Sequence, residues 1–129
     1  MKKLLASMGS ICMLLFLLSA CGAAKVDEKT SEKMIKQAKE VVQLLNVQQY
    51  EELTETFDSR MKEELTEEKL KEIEPILEES GQFEKFEKSS VEEKDDNYIV
   101  VLVAKYEKDE RIFTVAFNKS DQVSGLFVK

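Results

Sequence analysis

The sequence predicts an α+β domain, with three helices in its first half packed on one face of an antiparallel sheet of about four strands. Two observations carry this. Apolar residues recur every three or four positions from Met34 to Leu77, then at every second position after Gly81. Short polar turns separate the alternating runs, which is the layout of a meander. A third observation limits the domain: the first twenty residues have the composition of an export signal, not of a folded core.

The leader comes first. Met1-Lys2-Lys3 is basic, and Leu4 to Leu18 is apolar apart from Ser7, Gly9 and Ser10. Leu18-Ser19-Ala20-Cys21 follows and resembles a bacterial lipobox. That resemblance implies cleavage before Cys21 and a diacylglycerol on its thiol. The chain then divides into a signal peptide (1–20), a small polar tether (21–29) and one domain (30–129). Cys12 lies in the leader, so neither cysteine is left for a disulfide. Gly22, not Asp, follows Cys21. The expected location is the extracytoplasmic face of a cell membrane, with membrane lipid as the first partner, held through acylated Cys21.

The elements follow in order. Thr30 or Ser31 caps a first helix reaching Asn46, with Met34, Ala38, Val41 and Leu45 on its apolar face. A second, from Val47 to Phe57, places Val47, Tyr50, Leu53 and Phe57 on one side. Arg60 to Leu65 is a connector that can itself be helical, and it leads to a third helix, capped by Thr66 and carrying Leu70, Ile73 and Leu77. Pro75 should split that helix near Glu74, and Gly81 should end it. A strand from Phe83 to about Glu93 follows, with Phe83, Glu87, Ser89 and Val91 sharing parity. Tyr98 to Tyr106 is apolar on both faces and therefore central. Arg111 to Phe117 and Gln122 to Val128 complete the sheet.

Val41-Val42-Gln43-Leu44-Leu45 and Gln49-Tyr50-Glu51-Glu52-Leu53 resemble the opening of the family known as domain of unknown function 3887. Tyr98-Ile99-Val100-Val101-Leu102-Val103 and Val123-Ser124-Gly125-Leu126-Phe127 are similar to its strands and its ending. The resemblance spans roughly residues 36–129. It implies a cystatin-like, or nuclear transport factor 2-like, fold in which a curved sheet wraps a long helix into a cone. Relatives often carry an α/β-hydrolase beside this domain. This chain has no Gly-x-Ser-x-Gly elbow, so that activity does not carry over.

Composition narrows the function. The 129 residues are 35% charged with a net charge of −7, and they include no His and no Trp. Losing Lys2 and Lys3 with the leader takes the charge to −9. An acidic chain repels phosphate backbones, so no nucleic-acid partner is expected. Without His there is no Ser-His or Cys-His pair and no His-ligated zinc. No catalytic residue, metal site or cofactor is expected. Asp58 and Glu107, each following an aromatic residue, are the nearest acid candidates and read as exposed element ends.

The acidic run Glu63–Glu79 is interleaved with Lys69 and Lys71 and reads as a solvated helix face. Asn118-Lys119-Ser120 matches a glycosylation sequon but reads as a turn. Tyr50, Phe57, Tyr98, Tyr106, Phe113 and Phe117 are the candidates for a ligand pocket inside the cone; the alternative is that they simply fill the core. The expected function is a non-catalytic binding or interaction module acting on an envelope protein or a small ligand. A small pocket enzyme or ligand carrier is the alternative.

Overall fold

The computed structural model describes residues 24–129. The leader and Cys21 lie outside the described residues. No described helix is long and apolar enough to cross a membrane.

The first element is a two-residue strand, β1 (Ala24–Lys25), within the expected tether. Helix α1 (Glu28–Asn46) then begins earlier than predicted, because Asp27 is its cap and accepts from the Thr30 amide at 3.1 Å. The Asp27 carboxyl is held below its usual range, chiefly by hydrogen bonding to the Thr30 side chain and next by the Thr30 amide. The predicted stripe is the one buried: Met34, Ala38, Val41, Val42 and Leu45 face inward. Four short helices replace the predicted two. They are α2 (Tyr50–Glu55), α3 (Ser59–Glu64), α4 (Glu67–Lys71) and α5 (Glu74–Ser80). The connector is helical because Asp58 accepts from the Met61 amide at 2.8 Å. The third predicted helix splits where expected, since Pro75 is tolerated only in the first turn of α5.

The sheet contains β2 (Phe83–Lys94), β3 (Asn97–Tyr106), β4 (Glu110–Phe117) and β5 (Val123–Val128). The strands pair antiparallel in sequence order from β1 to β5, so β3 is central as predicted. Helices pack on one face of this open sheet, which is the α+β class read from the sequence. The core joins the α1 stripe to Val100, Leu102, Ala104, Phe113, Val115 and Phe117, and to Leu53, Phe57, Met61 and Leu70 from the short helices. Each Val, Leu, Phe or Met side chain among these contributes about 1.5–3 kcal/mol on leaving water, and Ala38 and Ala104 less.

The parity predicted for β2 is corrected. Bulges lie between Phe83 and Lys85 and between Phe86 and Lys88. Each adds a residue, so Phe83 opposes Tyr106 and Phe86 opposes Ala104 on the helix-covered face. Glu87 falls out of the inward set. The bulges and the flanking Glu and Lys side chains also blunt a strand whose outer edge meets β1 only at Glu92 and Glu93. At the other edge, the link between α2 and α3 covers the start of β5. The Val123 amide donates to the Thr56 carbonyl at 2.8 Å, and the Asp58 amide to the Val123 carbonyl at 2.9 Å.

These pairings give the domain two ends. At one end lie β1, the β2–β3 turn and the β4–β5 turn, tied to the first turns of α1 by Lys33 and Asp121 at 2.8 Å. At the other end lie the last residues of α1, the end of α5 and the β3–β4 turn.

Candidate functional site

A cleft of about 350 Å³ opens at this second end. Its apolar wall is Leu45, Val47, Leu77, Phe83 and Tyr106. Its polar rim is Gln43, Asn46, Gln48, Gln82, Glu74 and Glu78. Four separate elements contribute, and local chemistry positions each of them. The α1 helix stops at Asn46, and Gln48 turns the chain at φ 60°. Pro75 restarts the helix and sets Glu74 and Glu78 one turn apart. Gly81 ends α5 at φ 85° and ψ −159°, a backbone that side chains disfavour. The bulged start of β2 brings Phe83 over Tyr106, their ring centroids 5.6 Å apart.

Hydrogen bonds make the wall rigid. The Tyr106 hydroxyl donates to Asn46 Oδ1 at 2.5 Å, and Asn46 Nδ2 donates to Gln43 Oε1 at 3.3 Å. Burial pushes the Tyr106 phenol up to about 12, against the lowering influence of Asn46 and Arg111. The Tyr50 hydroxyl donates to Glu74 Oε1, which fixes that carboxylate. Burial and then the Glu74 carboxylate raise Tyr50 well above the ordinary phenol range. Behind the cleft, Gln82 N donates to Glu107 Oε1 at 2.7 Å, and Arg111 Nε donates to the buried Ser80 hydroxyl at 2.7 Å. Both phenols are therefore neutral donors at ordinary pH, and the ionic character of the cleft comes from Glu74 and Glu78. No Lys or Arg lines it among the described residues.

The six aromatic candidates do not converge on one cavity. Phe57, Phe113 and Phe117 are buried in the core. Tyr50 is buried beside the cleft with its hydroxyl on Glu74. Tyr98 lies at the opposite end, with Lys119 Nζ 4.1 Å from its ring centroid. Tyr106 alone among the six lines the cleft. The sequence reading missed Glu74, Glu78, the rim amides and Phe83. The available signal was positional: the sequence marks Asn46 and Gly81 as helix ends, and ends that meet form rims.

The remaining candidates have structural partners. Asp58 caps α3, and Glu107 accepts from Gln82. Asn118 Oδ1 accepts from the amides of Ser120 and Gln122 at 2.9 and 3.0 Å, closing a turn. A shallower, more apolar trough adjoins the cleft, running past Leu44, Val47 and Phe86, with Lys39 Nζ 5.4 Å from the Phe86 ring. No group of three metal-ligating side chains comes together among the described residues.

Comparison with known proteins agrees with this architecture. A solved structure, the NMR structure of a protein from Ruminococcus gnavus ATCC 29149, superposes with a TM-score of 0.68 at 26% identity. The match covers 79% of this chain and 90% of that one. Among curated proteins none matches. The model of the family described as "Protein of unknown function (DUF3887)" matches residues 38–126, which takes in the second half of α1, the short helices, the cleft residues, β2 to β4 and most of β5. The chain belongs to the DUF3887 family.

Proposed function

We propose that this protein is a lipid-anchored, non-catalytic binding module on the extracytoplasmic face of the membrane, and that the end cleft is where it binds. The observation that carries the binding reading is the make-up of the cleft: an apolar wall held by tyrosine hydrogen bonds, ringed by amides and carboxylates, with no Ser, Cys, Lys or His lining it among the described residues. Such a surface orients a ligand, and among the described residues it offers none of the Ser, Cys, Lys or His side chains from which activated nucleophiles are most often built.

The anchoring reading rests on Leu18-Ser19-Ala20-Cys21 following a basic, then apolar leader. Two residues separate Cys21 from Ala24, and Ala24 pairs with Glu93 at the end away from the cleft. A chain of that length spans at most about 10 Å. The cleft then faces away from the bilayer, displaced by the length of α1, about 28 Å for its 19 residues. Partners reach it from the external side.

The test is metabolic labelling with palmitate, combined with membrane fractionation of the wild type and Cys21→Ala. Labelled, membrane-bound wild type and unlabelled Cys21→Ala, released or left uncut, are expected. A Cys21→Ala protein that remains processed and membrane-bound contradicts the anchor.

A further inference from the structure

We infer that the occupant of the end cleft is a small organic cation: an apolar body of about six to eight heavy atoms bearing a protonated amine. This rests on the reading of the cleft as a binding site and specifies its ligand.

Shape and charge carry the inference together. The cleft holds about 350 Å³, near the lower limit of small-molecule sites, so the body is small. Its wall offers Leu45, Val47, Leu77 and the paired rings of Phe83 and Tyr106, which favour an apolar body. The ionic groups at its rim are both carboxylates, Glu74 and Glu78. Among the described residues neither forms an ion pair, although Lys33, Lys105, Arg111 and Lys119 all find acidic partners elsewhere. Glu74 is fixed at one oxygen by Tyr50 and keeps the other for a second donor. Glu78, one turn further along α5, is exposed. An anion entering here meets two like charges and no cation. A neutral ligand gains the wall but brings no positive charge to the two carboxylates. An ammonium group gains both, because charge-assisted hydrogen bonds are about twice as strong as neutral ones.

The experiment uses the full-length chain in lipid nanodiscs, titrated calorimetrically at neutral pH with cyclohexylammonium, cyclohexanol and cyclohexanecarboxylate. Heats from empty nanodiscs are subtracted. Cyclohexylammonium should bind about tenfold more tightly than cyclohexanol, and the carboxylate should not bind up to about 10 mM. Glu74→Gln and Glu78→Gln should each weaken the ammonium about fivefold and leave the alcohol unchanged. Both glutamates are on or near the surface, and urea melts would show that the variants fold.

Equal affinity for ammonium and alcohol, or ammonium binding indifferent to both substitutions, overturns the ligand class and leaves the cleft as a binding site. Tighter binding of the carboxylate does the same. Failure of all three probes to bind overturns the cleft itself along with its ligand.

Discussion

Replacing Gly81 with Ala should be the most damaging small substitution at the cleft. Gly81 has φ 85° and ψ −159°, in a region open almost only to glycine. Forcing a side chain there costs about 1–3 kcal/mol. The added Cβ would also stand 2.8 Å from Glu107 Cβ, inside the contact distance of about 3.5 Å between carbons. Glu107 cannot simply swing away, because its Oε1 accepts from Gln82 N at 2.7 Å. Losing that bond costs about 1 kcal/mol. Against these stands a gain of about 0.4–1 kcal/mol from a stiffer unfolded chain.

The net is a loss of about 2–3 kcal/mol, a fall in Tm on the order of 10–20 °C for a domain of this size. Gly125→Ala is the internal control. Its Cβ would meet Ala116 Cβ at 3.3 Å and Phe127 Cε2 at 3.4 Å without a positive φ, so the loss should stay below about 1 kcal/mol. Urea melts of the two variants followed by circular dichroism decide it. Equal losses, or a Gly81→Ala variant within about 0.5 kcal/mol of wild type, refute the backbone argument.

Three further outcomes are expected. A raised folded-state pKa means that the native chain holds its proton more tightly, so the stability associated with Tyr106 is fully present below about pH 10 and is lost as the pH climbs through about 12; Tyr106→Phe should flatten that loss in melts across this range and remove a late-rising component of tyrosinate absorbance. The β2–β3 turn puts Asp95 and Asp96 at φ 52° and 63°, so Asp96→Gly should raise stability by about 0.5–1 kcal/mol, read as an increased urea midpoint with an unchanged slope. Leu70 is fully buried beneath the short helices, and Leu70→Ala should cost about 2–5 kcal/mol in the same assay, whereas the exposed Val47→Ala should stay within about 0.5 kcal/mol.

Much of this fold was legible because single local signals sufficed. Met34, Ala38, Val41 and Leu45 form one stripe whichever residue caps the helix, so the burial of α1 followed even though Asp27, not Thr30 or Ser31, is the cap. Pro75 allows few helical positions, so the break before it was also readable. The bulges in β2 were not. Phe83 and Phe86 are three apart yet share a face, because pairing with Tyr106 and Ala104 demands it, and nothing within β2 announces that.

The aromatic residues show a second limit. Periodicity gives the inward direction of Phe113 and Phe117 but not whether a cavity lies there. The double apolarity of β3 located it at the centre of the sheet. It also leaves Ile99, Val101 and Val103 half-buried on the side away from the helices, next to the exposed Ile112. The cleft is built from ends of elements distant in sequence, so it became visible only once Asn46 met Tyr106 and Tyr50 met Glu74.

The central claim is that an anchored module binds through the end cleft and not through the end beside its anchor. A photo-crosslinking residue introduced in intact cells at Gln48, on the cleft rim, and separately at Asp96, in the opposite turn, tests it most directly. Intact-mass analysis of the recovered protein should show a discrete adduct from Gln48 that Glu74→Gln and Glu78→Gln diminish, and none from Asp96. Adducts of equal yield from both positions, or from Asp96 alone, would contradict the account.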